Sequence, residues 1–324
     1  MTSKIEISYK TIVFTILFLL LLWFLVQIRE IIFLVFVSFI LMSAFKPLVD
    51  YLERVHIPRV FSILVIYILI ISFIGFAASS LLPPLITQTI HLGERMPDYI
   101  IRVLPFVQFD SQVLTQQIAP LGQNLISVTI GLFSNIIALF TLFVISFYFL
   151  IERKNLETQL ANFMGEEGSK RLVNILTKIE ERLGAWVRGQ LLLALTIGLS
   201  TFIGLSLLGI PYTLALSILA GILEIIPIIG PIISAIPAIL IALTISPFLA
   251  LVTIALYFII QQAEAHLIVP LVMQKAIGIP PVVTIIALLV GAKLSGIGGA
   301  LLAIPVVVTL ETIISEYLKL KESH

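Results

Sequence analysis

Of 324 residues, 60% are hydrophobic and 11% charged, and the mean hydropathy is +1.17, more apolar surface than a soluble chain of this size could hide in a core. The net charge of +1 excludes a strongly basic nucleic-acid binder, and the absence of cysteine excludes disulfide frameworks, thiol catalysis and thiolate metal sites. Apolar runs of about 18 residues or more recur without the roughly 10-residue alternation of a membrane barrel, so the chain reads as an all-α polytopic membrane protein.

In chain order, Lys4 and Lys10 precede an apolar run too long for a signal peptide and lacking a small-residue cleavage site, which predicts a retained first span over Thr11–Ile28. Ile31–Phe45 is the second. One helix through both would be about 52 Å long at 1.5 Å per residue, too long for a single crossing of a core roughly 30 Å thick, so Arg29 and Glu30 are expected to turn a tight hairpin. Lys46–Arg59 is a polar connector, and Val60–Leu82 is a third span that Pro83 and Pro84 should stop. Residues 85–124, with Pro97, Pro105 and Pro120, predict short helices at the outer surface, and Leu125–Ile151 is the fourth span.

The most charged region, Glu152–Arg188, carries Leu172, Ile175, Leu176, Ile179, Leu183, Trp186 and Val187 at helical spacing, the mark of an amphipathic helix resting on the membrane or on a neighbouring helix. Leu191–Leu208 is the fifth span, with Gly198 and Gly204 permitting close packing. The chain thus divides into a three-span region (1–82), an extracytoplasmic segment (83–124), the fourth span with the amphipathic helix (125–190), and a core ending in a C-terminal helix (191–324).

Two stretches in that core share a plan. Gly209–Leu243 and Gly278–Leu310 both open with Gly-Ile-Pro and place a charge 15 positions after the first glycine, at Glu224 and Lys293. Both close with Gly-x-x-x-x-Ala-Ile-Pro, from Gly230 to Pro237 and from Gly298 to Pro305. Helix breakers inside apolar segments predict broken or re-entrant helical hairpins, which brings the total to about eight membrane segments. A span from Phe248 to about Val269 separates them.

With the N-terminus inside, fifteen of the nineteen Lys and Arg residues fall on cytoplasmic segments, which also places the C-terminus there. The same parity makes the first broken stretch enter from outside and the second from the cytoplasm, an inverted repeat. Non-helical backbone at membrane depth belongs where protein buries it or a polar path runs, so the tips near Pro227, Gly230 and Pro231, and near Ser295, Gly298 and Gly299, are candidates to line that path.

Few residues could carry chemistry. An ionised acid at the bilayer centre costs at least about 2.5–3.5 kcal/mol, which gives Glu224 two readings: a proton, cation or substrate contact, or a neutral acid bonded to the carbonyls that Pro227 frees. Gln261, Gln262, Glu264 and His266 form a polar cluster expected to face the bundle, where Glu264 and His266 could relay a proton, or else to mark a helix end at the cytoplasmic interface. Lys293 is an anion attractor, a partner for Glu224, or a side chain reaching the outer interface. No P-loop, His-Glu-x-x-His, Gly-x-Ser-x-Gly or filter-like sequence is present, so an enzyme, an ATP-driven pump or a selective channel is not expected, nor is a cofactor or metal.

The run Leu223-Glu224-Ile225-Ile226-Pro227-Ile228-Ile229-Gly230-Pro231, the Gln261-Gln262 pair followed by Leu267-Ile268-Val269-Pro270, and Gly298-Gly299-Ala300 through Ala303-Ile304-Pro305 together resemble the AI-2E family, the autoinducer-2 exporter-like membrane proteins of bacteria and archaea. The resemblance implies a helical homo-oligomer in a prokaryotic plasma membrane. Its partners would be the lipid bilayer and a small polar solute or cation, since some members are associated with export of autoinducer-2 and others with sodium/proton antiport. Glu224, Pro227, Gly230, Pro231, Gln262, Pro270, Gly298 and Pro305 lie on the recurring motif, whereas Glu264 and His266 depart from it. Three functions follow as expectations: an ion-coupled secondary exporter of a small polar solute, a sodium/proton antiporter, or an oligomeric scaffold that transports nothing.

Overall fold

A computed structural model describes residues 9–103, 136–226, 229–273 and 280–322. Lys4, the outer segment beyond residue 103, Pro227 and Lys275 therefore lie outside the described residues. What is described is helical: α1 Tyr9–Gln27, α2 Arg29–Arg54, α3 Arg59–Val103, α4 Ile136–Glu152, α5 Leu156–Leu207, α6 Thr213–Leu223, α7 Ile229–Ile245, α8 Pro247–Ala263, a π-helical turn Glu264–Ile268, α9 Val269–Met273 and α10 Pro281–Glu322. Six of these helical segments are long and apolar enough to cross a membrane.

α5 is the spine. Its first half buries the apolar stripe read from the sequence, with Ile179, Leu183 and Trp186 packed against Ile40 of α2 and Ile304 and Val308 of α10. The amphipathic helix therefore rests on neighbouring helices. It continues without interruption through Arg188 into the fifth span, crossing the boundary expected at residue 190, and its backbone breaks only at Gly165 (φ 79°, ψ 168°). Gly184 lets α5 approach α2: a Cβ there would lie 2.2 Å from the Ser43 carbonyl oxygen. The other half of α5 packs Leu205 against Leu216, Ile241 and Ala250 of α6, α7 and α8. A separate cluster joins α2, α3 and α4 through Met42, Ile63, Tyr67 and Phe143, with the Tyr67 hydroxyl donating to Ser146 at 2.9 Å.

Two expectations are corrected. No hairpin forms at Arg29–Glu30, because the Ile28 N–H bonds to Phe24 O and the Ile32 N–H to Ile28 O, both at 3.0 Å, carrying the helical ladder through a single kinked residue (Ile28, φ −95°, ψ 12°). The length argument assumed one straight rod, whereas the kink at Ile28 turns α1 away from the line of α2, so the two need not cross the core together. A two-residue reversal needs left-handed backbone, which neither Arg29 nor Glu30 favours. Placing the N-terminus inside therefore no longer follows from a hairpin.

Pro83 and Pro84 do not end α3 either. They remove two N–H donors, but the far half of α3 has a partner: Gln88 Oε1 accepts the Ala215 N–H at the start of α6 at 3.2 Å. Tertiary contact outweighs the local breakers, and the helix also crosses the boundary expected at residue 82.

Charges gather at one end of the bundle. Glu180, 2% exposed, accepts Lys46 at 2.6 Å and Arg153 at 2.5 Å. Lys154 pairs with Glu53, Lys178 with Glu316, and Arg182 with Glu311 at 2.5 Å. The end of α2, the first half of α5 and the end of α10 therefore share one side, as the distribution of positive residues predicts.

Candidate functional site

Both broken stretches bend where the breakers stand. In the first, α6 ends at Leu223 and α7 begins at Ile229, and the two arms close tightly: a Cβ on Gly230 would lie 1.9 Å from the Leu223 carbonyl oxygen. Eleven and seventeen residues make arms of about 16 and 25 Å, shorter than a full crossing of roughly 30 Å. In the second, the backbone of α10 breaks at Ser295 (φ −143°) and Gly296 (φ 60°), a left-handed position that glycine adopts without strain. The arms on either side then touch, Gly291 against Gly299, where a Cβ on either residue would come within 2.3 Å of the other's carbonyl oxygen.

The hairpins meet. Ile226, at the tip of the first, packs on Leu288, Ala300 and Ala303, which lie on both arms of the second. The contact lies below the second hairpin's tip, so the two overlap in depth instead of meeting point to point.

Glu224 sits in the break of the first hairpin, 1% exposed. Its main-chain carbonyl accepts a hydrogen bond from Gln190 of α5, Nε2 donating at 2.9 Å. Its carboxyl lies near that of Glu264, itself 7% exposed, so that the two acids interact. Two carboxyl groups side by side can bond to each other only if one carries a proton. Gln261 Nε2 donates to Glu264 Oε2 at 3.0 Å, while Glu224 Oε2 is buried without a hydrogen-bond partner among the described residues. No ion pair reaches either carboxyl among those residues.

A local distortion brings Glu264 to this place. Pro270 cannot donate to the His266 carbonyl and its ring crowds that oxygen. The preceding turn widens into a π-helix over Glu264–Ile268, with the Val269 N–H bonding back to Glu264 O. Such turns recur at functional sites.

The polar cluster is divided by this geometry. Gln261 and Glu264 face the bundle, while Gln262 and His266 are exposed, His266 Nδ1 lying 3.1 Å from the Gln262 carbonyl of its own helix. His266 and Glu264, two residues apart, point to different sides, so the expected relay between them is not assembled. Lys293 is exposed and does not pair with Glu224. Gly298 lies against Phe33, Gly299 against Gly291, and Pro231 is half-buried on the first hairpin. Gln190 was not legible as a site residue: it stands alone between an amphipathic helix and an apolar span, and only the fold brings it to Glu224.

Replacing Gln190 with Leu removes a buried hydrogen bond to the Glu224 carbonyl, and losing one partner of a buried polar pair costs about 1–3 kcal/mol. A lowered unfolding midpoint in detergent is the expected result; Gln190→Glu, which cannot donate when ionised, should not restore it.

A family model described as AI-2E family transporter matches residues 12–319. Among curated proteins, the chain is 33% identical to YueF of Bacillus subtilis (strain 168) over 87% of this chain and 83% of that protein, and 29% identical to YrrI of the same organism over 90% and 86%. Both carry names that place them in transport. It is also 23% identical, over 79% of this chain and 81% of that protein, to a protein of Halobacillus andaensis named sodium-lithium/proton antiporter.

Proposed function

The chain belongs to the AI-2E family of transporters, and on that premise we propose that it is a proton-coupled secondary transporter that exports a small polar solute of the autoinducer-2 type, with Glu224 and Glu264 holding the coupling proton. One observation carries this reading: a buried carboxyl pair, with an unpartnered oxygen and no cation among the described residues, sits at the break of one hairpin where it meets the other. Burial without a counter-ion disfavours double ionisation, so such a pair binds and releases protons as its surroundings alternate.

The charged end, where Lys46, Arg153 and Lys178 are fixed by ion pairs, is assigned to the cytoplasm. Gln190, two residues beyond Arg188 on α5, then puts the carboxyl pair near that side. The first hairpin reaches it from the far side and the second enters from the near side. Opposite entry supports an inverted repeat whose hairpins move against each other.

Sodium or lithium exchange for protons is a second reading. The acid pair suits a small hard cation as well as a proton, and a relative bears an antiporter name. Efflux of autoinducer-2 and of radioactive sodium from proteoliposomes under an imposed pH gradient separates the two. Faster autoinducer-2 efflux supports export and faster sodium movement supports antiport. If the gradient accelerates neither, the proposal fails.

A further inference from the structure

Between α2 and the second hairpin runs a cavity of about 650 Å³, walled by apolar side chains including Phe33, Phe36, Val290 and Leu302. It is separate from the carboxyl pair. Arg29 carries the one charge among its lining residues. Arg29 is exposed, has no ion pair among the described residues, and follows the kink at Ile28 that replaces the expected hairpin. Glu30 beside it is exposed and does not line the cavity; Lys293 is exposed one residue from Leu294, which does.

The charge lies at a definite depth. Phe33 touches Gly298 near the hairpin tip, while Ile40 packs with Ile304 and Val308 further along, so α2 and the long arm of α10 descend side by side. Arg29 therefore lies level with the tip. It stands 17 residues, about 25 Å, before Lys46 in the charged layer that Glu180 organises. That separation is near the thickness of a hydrocarbon core of roughly 30 Å, which places Arg29 at the opposite headgroup zone. From Leu294 down to Val283 the cavity wall runs about 16 Å, close to the depth of one leaflet.

A cationic group at headgroup height above an apolar slot one leaflet deep matches an anionic phospholipid, with its phosphate on Arg29 and one acyl chain along the slot. We propose that this cavity is a binding site for an anionic phospholipid of the leaflet opposite the charged end, recognised through Arg29. Guanidinium binds phosphate bidentately, which a zwitterionic lipid offers as well, but there the neighbouring choline cation offsets the attraction.

The test is native mass spectrometry of the full-length protein, supplied with phosphatidylglycerol and phosphatidylcholine of identical acyl chains in equal amounts. Wild type should retain phosphatidylglycerol with about tenfold preference, because no choline cation opposes the attraction of its phosphate to Arg29. Arg29→Gln, at an exposed position, should fold and lose the preference. Val290→Trp, which fills the slot from a half-exposed position, should lose bound lipid of both kinds. Equal retention of the two lipids by wild type, or a preference that survives Arg29→Gln, overturns the assignment; so does a Val290→Trp protein that still holds phosphatidylglycerol at the wild-type level.

Discussion

Glu224→Gln and Glu264→Gln should each abolish gradient-driven transport, and the double variant should be no worse than either single one. The two buried carboxyls interact at the hairpin break and are expected to act as one proton-holding unit. Removing one acid leaves a lone carboxyl with no second acid to share its proton, and removing the second then takes nothing further from the pair, the non-additivity expected of residues that act as a unit. Stability should respond in the opposite sense. A buried acid without a counter-ion is a cost to the fold, and glutamine keeps its shape while removing the charge, so the unfolding midpoint should stay level or rise. Loss of transport with an intact or raised midpoint separates a functional acid from a structural one. Gradient-driven flux persisting in either single variant would remove Glu224 and Glu264 from the mechanism.

Gly291→Ala and Gly299→Ala should be among the most damaging small substitutions at the described residues. Each adds a methyl group 2.0 to 2.3 Å from the other's carbonyl oxygen, and the obstacle is backbone on both sides, so no side chain can yield. Ordinary overpacking costs about 1–3 kcal/mol; here the arms of the second hairpin must separate, which also opens the packing of Leu288, Ala300 and Ala303 against Ile226. Both variants are expected to lose the monodisperse peak in detergent chromatography or to unfold far below wild type. Gly75→Ala is the control. Its position on α3 has nothing within 4 Å, and alanine favours a helix over glycine by roughly 1 kcal/mol, so this change should leave the midpoint equal or higher. A Gly299→Ala protein as stable as the Gly75→Ala one would mean that the second hairpin is not closed as described.

The sequence by itself determined the class and the places of the breaks. Composition and apolar run length decide that the chain lives in lipid, because the hydrophobic effect sums over surface whatever the fold. The clustering of Lys and Arg anticipated that the end of α2, the first half of α5 and the end of α10 share one side. Glycines and prolines mark where an apolar helix breaks, since their limits are local: Ser295-Gly296 and the Glu224–Ile226 turn fall where the repeated motif places them. Local limits also mislead when a distant contact opposes them. Pro83 and Pro84 read as a stop and are not, and Arg29-Glu30 reads as a hairpin and is a kink.

Which charges face one another was decided only in three dimensions. The repeat pairs Glu224 with Lys293 by position, and the fold pairs it with Glu264, forty residues away on another helix. That choice depends on how the first hairpin packs on α5 and on a π-helical turn induced by Pro270, which together bury both acids and leave Lys293 outside. Side-chain partnership across helices is set by crossing geometry and burial, and neither has a period that a single sequence displays.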